Sequence, residues 1–314
     1  MAKPPKVFTS VVVTYYGYDD CIRLQNSTTS VTLCPSAGGR VLQYSVNGKE
    51  ALYLPPGSEG WTDSPSNQGK RGSMHAGRFD IGPEVTIAKH PKLWQGVWKG
   101  QITGTHSARL TSQKDEATGV RLIRDFELAA NSTELKCTQT IENISDHNID
   151  TCHWSRTFAP GGGICVVPLS GPSRFPNKYV MYTPAPLINY LPEDKNIRVH
   201  DNYVEITGVP EFPKLGFDSY AGWLAYLMPN DLMFVKRYPT YPNRVYNEVA
   251  GLTLSIWYPD RPMVELEPIG PAQRLAPGQS ASFTETWYLL PHKFPKETRT
   301  ADWEVIKKQV DELK

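Results

Sequence analysis

Short segments of alternating apolar and polar residues run through almost the whole chain, and they constrain its fold more than any other feature. Residues 10–54 contain three such segments, and the hairpin dipeptide Asn47-Gly48 divides the third. The same pattern returns in residues 97–169 and again in residues 203–290. Only the C-terminal tail has helical spacing, with Trp303, Ile306 and Val310 on one stripe. The sequence therefore predicts an all-β fold of packed antiparallel sheets with a short C-terminal helix.

The organisation of the chain favours one domain. A chain of 314 residues could form one large β domain or two average ones. It contains no Gly/Ser linker, no block of like charge and no tandem repeat that would divide it. We predict a single domain over residues 8–314, preceded by a flexible N-terminus of residues 1–7.

Composition excludes several classes of partner. The formal net charge is +1, so no strong field attracts nucleic acid or an anionic membrane. No apolar run reaches the roughly 18 residues of a membrane span, and the N-terminus lacks an apolar signal region. We expect a soluble protein, cytoplasmic as the chain stands, or periplasmic or secreted if a signal peptide was removed. Its oligomeric state is left open.

The sequence contains no motif for a metal or a nucleotide. The seven histidines include no HExxH pair, and neither a P-loop, a GxGxxG turn nor a GxSxG elbow is present. The five cysteines are odd in number and lack metal-ligand spacing, so we expect buried free thiols. We therefore predict no metal and no cofactor. The 16 tyrosines and 8 tryptophans offer surfaces for stacking on a sugar, although a large β core also uses aromatic residues.

Two carboxylates lie on one face of a late strand. Side chains alternate along a strand, so Glu265 and Glu267 share a face, while Val264 and Leu266 occupy the other. Such a pair lies either on a solvated edge or in a polar cavity, where a sugar or a proton-transfer partner uses it.

Further candidate ligand contacts lie at strand ends and in one long loop. His153 precedes Trp154 and Arg156 at the end of an alternating segment, although a lone histidine is more often a core residue. Lys236 and Arg237 are either ligand contacts or solvated cations. Residues 55–83 are rich in Pro, Gly, Ser and Asn and are too long for a simple connection, which predicts a functional loop. The candidate residues in and just after this loop are Arg71, His75, Arg78 and Glu84.

Several segments together resemble the galactose mutarotase-like superfamily, and within it the branch called DUF4380. The resemblance covers nearly the whole chain, in order. It is carried by Cys21–Leu24, the Gly39-Arg40 turn, Arg78 with Pro83-Glu84, and an ExExxGP pattern at Glu265, Glu267, Gly270 and Pro271. It implies a β-supersandwich of antiparallel sheets whose concave face binds a monosaccharide or oligosaccharide.

The resemblance also implies site residues. Aldose 1-epimerases of this superfamily use a histidine acid and a glutamate base, which map onto His153 and Glu267, with Glu265 as the other candidate base. Their first histidine stands in a Leu-His-Gly-Gly motif, for which residues 74–77, with His75, are an approximate counterpart. The Tyr-Phe-Asn that normally follows the second histidine is missing here.

Three functions remain open at this point. The first is an aldose 1-epimerase-like enzyme in which Glu267 is the base and His153 the acid, and in which Trp154 supplies a stacking surface. The second is a lyase or another carbohydrate enzyme, in which Arg78 or Arg156 neutralises a substrate carboxylate. The third is a carbohydrate-binding protein without catalysis. The same fold can serve each of them.

Overall fold

In the residues that the structure describes, the chain folds into β-strands with two short α-helices. The computed structural model describes residues 8–62, 64, 75–184 and 187–313. The strands of this part of the chain are β1 (Val11–Tyr15), β2 (Tyr18–Gln25), β3 (Thr29–Cys34), β4 (Arg40–Val46), β5 (Lys49–Glu50), β6 (Gly77–Gly82), β7 (Lys99–Gly104), β8 (Ser107–Thr111), β9 (Val120–Leu128), β10 (Leu135–Asn143), β11 (Ile149–Pro160), β12 (Ile164–Pro168), β13 (Val180–Tyr182), β14 (Ile188–Asn189), β15 (Ile197–Val199), β16 (Tyr203–Ile206), β17 (Lys214–Phe217), β18 (Trp223–Met228), β19 (Leu232–Arg237), β20 (Leu254–Trp257), β21 (Met263–Pro268), β22 (Gln273–Leu275) and β23 (Ser280–Pro291). The helices are α1 (Pro91–Trp94) and α2 (Trp303–Asp311).

These strands form two antiparallel sheets. The first sheet has the order β1-β2-β3-β4-β6-β11-β21-β20-β17-β13-β14, with β5 paired to β4 and β22 paired to β11. The second has the order β15-β16-β12-β18-β19-β23-β10-β9-β8-β7. The main hydrophobic core lies between the sheets and takes residues from both. The prediction of an all-β fold of packed antiparallel sheets with a C-terminal helix is confirmed.

Local sequence explains the hairpins. Asn47 and Gly48 both have positive φ, 50° and 77°, as a two-residue hairpin turn requires. The turn between β2 and β3 is stabilised by the Asn26 side chain, which accepts hydrogen bonds from the backbone N–H groups of Thr28 and Thr29.

Helix α2 covers the outer face of the second sheet. Its N-cap is Asp302, whose carboxylate accepts a hydrogen bond from the N–H of Val305. Ile306 and Val310 are buried, and they form a separate small core with strand residues that point away from the main core. This agrees with the stripe that the sequence predicted. None of the helices in the described residues is long and apolar enough to cross a membrane.

The first sheet positions the candidate site. β11 lies between β6 and β21, so all three strands present one face to the second sheet and the other face outward. Arg78 was expected in the long loop, but it lies in β6, because that loop ends earlier than the composition suggested. Of the predicted loop, residues 63 and 65–74 lie outside the described residues, and so does Arg71. Residues 1–7 also lie outside them, and the single-domain assignment stays a prediction.

Candidate functional site

Charged side chains lie side by side on the outer face of the first sheet. In β21, Val264 and Leu266 point into the main core, so Glu265 and Glu267 point outward, as the alternation predicted. In β11, Trp154 and Arg156 share this outward face, because their side chains reach the two glutamates. Long-range strand pairing thus collects groups that are more than 100 positions apart in the sequence.

A cleft of about 540 Å³ opens beside these groups. Arg78 and Asp80 of β6 line one side, Trp154 and Arg156 of β11 line another, and the segment around α1 completes it. The further lining residues are Ile81, Glu84, Ile87, Ala88, Lys89, His90, Pro91 and Trp94. The volume and the mixture of aromatic and charged lining suit a small ligand.

Glu265 is held by Arg156. The Nε of Arg156 donates to Oε1 of Glu265 over 2.8 Å, and a second guanidinium nitrogen lies 3.4 Å from Oε2. Burial by itself raises the pKa of Glu265, but Arg156 and the other nearby cations together outweigh it, so the pKa is lowered. Glu265 is therefore an ionised partner of Arg156 at neutral pH.

Glu267 has a different environment. The Nζ of Lys214 lies 2.8 Å and 2.7 Å from its two oxygens, and the indole N–H of Trp154 donates to Oε2 over 2.8 Å. Burial and the neighbouring charge of Glu265 raise the pKa of Glu267 to about 7, against the lowering effect of Lys214. Glu267 thus changes its protonation state near neutral pH, which suits a group that accepts and returns a proton.

Asp80 and His90 form a second acid–base pair at the cleft. The Nε2 of His90 lies 2.7 Å from Oδ1 of Asp80, and its Nδ1 lies 2.6 Å from the carbonyl oxygen of Ala88. Because both neighbours are acceptors, the charged imidazolium, with two N–H groups, fits this geometry. Burial lowers the pKa of His90, but the hydrogen bond and the charge of Asp80 raise it more, so the net shift is upward. The pKa of Asp80 is lowered, because the effects of His90 and Arg78 exceed that of burial.

His153 does not join this site. It is 2% exposed, and its ring stacks on Phe283 of the second sheet at 5.6 Å between centroids. Burial lowers its pKa to about 4, so the ring is neutral at pH 7. Trp154 and Arg156 point to the cleft, and His153, which directly precedes Trp154 in the strand, points to the opposite face of β11. The prediction that His153 acts as the acid opposite Glu267 is therefore wrong.

Lys236 and Arg237 do not reach the cleft either. Lys236 is 0% exposed between the sheets, where its Nζ lies 3.0 Å from Oε2 of Glu285 and donates to the hydroxyls of Ser155 and Thr157. Arg237 points to the outer face of the second sheet and donates to the carbonyl oxygen of Leu313 beside α2. Their predicted ligand contacts are wrong, because the strand that carries both lies in the other sheet.

His75 and Glu84 border the site. The His75 ring lies 4.5 Å from the Phe158 ring, and burial and Arg40 lower its pKa to about 4. Glu84 is exposed at the cleft, and its backbone N–H donates to Oε2 of Glu248 over 2.8 Å. Both residues therefore lie near the charged groups, with Glu84 in the cleft lining itself.

Sequence reasoning missed Asp80, His90, Trp94 and Lys214. Asp80 could have been found, because it is two positions from Arg78 in a strand and so shares its face. Trp94, below the guanidinium of Arg78 at 5.0 Å, and His90 enter through α1, a one-turn helix with no clear periodic signal. No sequence pattern identifies Lys214 as a site residue, since a single lysine near a strand end is usually solvated.

The cysteines carry no sign of chemistry at the cleft. All five are buried free thiols, as predicted. Within the described ranges, the one cluster with metal-ligating atoms in mutual reach is Asp20, Cys21 and Cys34, whose ligand atoms lie within 4.8 Å of one another. Burial raises the pKa of Cys34, which disfavours the thiolate that a metal needs. The absence of a metal and a cofactor stays a prediction.

Comparison with solved structures identifies the fold. A galactose mutarotase-like protein from Lactobacillus casei ATCC 334 superposes with a TM-score of 0.60 at 11% sequence identity, over 86% of this chain and 100% of its own. A candidate aldose 1-epimerase from Escherichia coli K12 gives a TM-score of 0.58 at 14% identity, over 86% and 98%. A galactose mutarotase related enzyme from Lactobacillus acidophilus gives 0.59 at 9% identity, over 87% and 98%. No protein-family model matches the sequence, and no curated protein matches it.

The chain therefore has the galactose mutarotase-like fold, as the sequence resemblance predicted. At these identities the likeness extends to the fold and not to the activity. Assignment to the DUF4380 branch stays a prediction.

Proposed function

We propose that the cleft binds a sugar in its cyclic form and that the protein interconverts the two anomers, with Glu267 as the general base. The observation that carries this proposal is the environment of Glu267. Its carboxyl group has a pKa of about 7 and is hydrogen-bonded by Trp154, which itself lines the cleft. A base with a pKa near the working pH is both available and able to transfer its proton onward.

The lining of the cleft supports a sugar ligand. Trp94 and Trp154 are large aromatic side chains in its wall, and the apolar face of a pyranose ring stacks on such surfaces. Arg78, Glu84 and Lys89 add charged donors and acceptors for hydroxyl groups. The volume of about 540 Å³ lies within the range usual for small-molecule sites.

The proton donor in this proposal is His90. It borders the cleft, and its hydrogen-bond partners and raised pKa favour the imidazolium. Because both N–H groups already donate, to Asp80 and to the carbonyl oxygen of Ala88, the ring oxygen of the sugar has to replace one of these acceptors before it takes the proton. Glu267 takes the proton from the O1 hydroxyl while the bond between C1 and the ring oxygen breaks, and the ring oxygen takes a proton from His90. Rotation about C1–C2 and the reverse transfers then give the other anomer and restore both groups.

Access to Glu267 requires one movement. The carboxyl group is 0% exposed, because Lys214 and Trp154 cover it. Lys214 is the member of this cover that a ligand displaces in this proposal, since its side chain is 16% exposed and has a flexible stem, whereas Trp154 is 2% exposed. A ligand hydroxyl that displaces the ammonium group reaches Glu267 and at the same time removes the charge that favours its ionised form.

The test compares substitutions on the two faces of the sheet. Glu267→Gln and His90→Gln should each slow the anomer exchange of a responsive sugar by about 10²-fold or more, measured by NMR exchange spectroscopy over a panel of hexoses and pentoses. His153→Leu is the matched control, because His153 is next to the cleft residue Trp154 in the sequence but points into the core. Wild-type rates in Glu267→Gln would contradict the proposal, as would loss of exchange in a folded His153→Leu.

Binding without catalysis is the second candidate function. The observation that favours it is that both carboxylates are ion-paired, Glu265 with Arg156 and Glu267 with Lys214. If they only support the cleft, calorimetry will detect a sugar that binds, while anomer exchange proceeds at the uncatalysed rate with the wild-type protein. Accelerated exchange would exclude this second function.

A further inference from the structure

The hydrogen bonds of Arg78 differ from those of the other buried arginines near the site. Arg124 is 1% exposed and donates to four acceptors, which are the side chain of Gln139 and the carbonyl oxygens of Gly38, Gly39 and Phe79. Arg78 is 8% exposed, and Asp80 is its one hydrogen-bond partner among the described residues, at 3.2 Å. Its Nε is buried and has no partner in the part of the chain that the structure describes. A guanidinium has five N–H donors, so most of those of Arg78 have no acceptor among these residues.

The position of Arg78 directs its unused donors to the cleft. Arg78 lines the cleft, and the face of its guanidinium lies over the Trp94 ring, 5.0 Å from the centroid. Stacking on Trp94 orients the guanidinium plane and leaves its edges for hydrogen bonds. Burial and the nearby Arg156 lower the pKa of Arg78, so its charged form is less favourable here than in water.

Among the side chains of the cluster that form ion pairs with one another, cations outnumber acids by one. The four cations with little exposure are Arg78, Arg156, Lys214 and His90, and the three acids are Asp80, Glu265 and Glu267. Four minus three gives +1, and protonation of Glu267 raises the excess to +2. The exposed Glu84 and Lys89 cancel each other.

The pairing identifies the residue that carries the excess. Glu265 is bound by Arg156 and Glu267 by Lys214, so each has a cation of its own. Asp80 forms ion pairs with two cations, with His90 at 2.7 Å and with Arg78 at 3.2 Å. Arg78 is therefore the cation without an acid of its own.

We propose that the ligand of the cleft is a sugar that carries an anionic oxygen group, and that Arg78 binds this group. The inference rests on the proposed sugar site and specifies its substrate class. A sugar carboxylate or a sugar phosphate presents two or more anionic oxygens to a guanidinium edge, which matches the unused N–H groups. Its negative charge supplies the compensation that the cluster lacks.

The first experiment leaves the protein unchanged and alters the charge of the ligand. Calorimetric titrations of the wild-type protein compare glucuronate and galacturonate with their uncharged amides, and glucose 6-phosphate and galactose 6-phosphate with the parent hexoses. We expect at least one anionic sugar to bind about tenfold or more tightly than its uncharged counterpart. The uronate pairs test a carboxylate and the sugar phosphate pairs test a phosphate, so the titrations also show which of the two anionic groups binds. Equal or weaker binding of every anionic sugar, including no binding, overturns the inference.

The second experiment alters Arg78. Arg78→Gln should remove the preference for the anionic sugar, while Arg109→Gln, in an exposed ion pair with Asp125 on the second sheet, should keep it. Circular dichroism and thermal melting establish whether each variant is folded. If Arg78→Gln does not fold, the binding of anionic and uncharged sugars to the wild-type protein tests the inference by itself. Anionic preference retained in a folded Arg78→Gln overturns the assignment.

The two proposals fail in different ways. If an anionic sugar binds through Arg78 but its anomers exchange at the uncatalysed rate, the proposed enzymatic function fails and the ligand assignment stands. If neutral sugars exchange rapidly and no anionic sugar binds more tightly than its uncharged counterpart, the enzymatic function stands and the ligand assignment fails.

Discussion

Lowering the pH should destabilise the folded protein through His153. The pKa of His153 is about 4 in the folded state, and its ordinary value is 6.5. The unfolded chain therefore binds a proton at higher pH than the folded chain does. The stabilisation from the neutral ring is fully present above pH 6.5 and is lost as the pH falls towards 4.

The size of the effect follows from the two pKa values. One pKa unit corresponds to about 1.4 kcal/mol, so the complete loss is about 3 kcal/mol, reached below pH 4. At about pH 5 the loss is about 2 kcal/mol. This is a large part of the stability of an ordinary domain. Little screening by solvent is expected, because the ring is buried against Phe283 between the sheets.

The assay is urea unfolding of the wild-type protein and of His153→Leu at about pH 7.5 and about pH 5. The wild type should lose about 2 kcal/mol more of its free energy of unfolding than the variant does. His75 shifts in the same direction, but it is present in both proteins, so its contribution cancels in the difference. Parallel losses in the two proteins would refute the assignment of His153 as a buried neutral residue.

Three further changes have distinct outcomes. Lys236→Met should destabilise the protein by about 3–5 kcal/mol in chemical denaturation, because it leaves the Glu285 carboxylate buried without its cation, and a loss below about 1 kcal/mol would contradict that pairing. Trp154→Phe removes the N–H donor to Glu267 and should raise the pKa of Glu267 above about 7. The acidic limb of the pH profile of the rate or of binding should then move to higher pH. An unchanged limb would contradict the contact. Asp302→Ala should cost about 1 kcal/mol through loss of the helix cap, and an unchanged melting temperature would count against it.

Local patterns were enough for the strands and for the glutamate pair. The alternation in β21 assigned Glu265 and Glu267 to one face, and the structure places Leu266 on the other, in the core. Turn residues such as Asn47-Gly48 located the hairpins, because few dipeptides adopt the required backbone angles. The stripe of Ile306 and Val310 predicted the C-terminal helix in the same way.

Alternation does not predict which side of a strand meets the cleft when both of its faces are buried. β11 has buried residues on each side, so polarity does not reveal which side meets the cleft. His153 and Trp154 both fit a site by residue type, yet only Trp154 reaches it. Lys236 was expected to be either a ligand contact or a solvated cation, but a distant acid, Glu285, compensates its charge inside the protein.

The sequence by itself determined the strands, several turns, the terminal helix and the relative sides of neighbouring residues, because these depend on backbone preferences and on a repeat of two residues. Only the tertiary structure decided which side faces the cleft, and it joined Asp80, Trp154 and Glu267 from β6, β11 and β21. It also raised the pKa of Glu267. The reason is that burial and charge at a site come from residues far apart in the chain, and no local pattern contains that information.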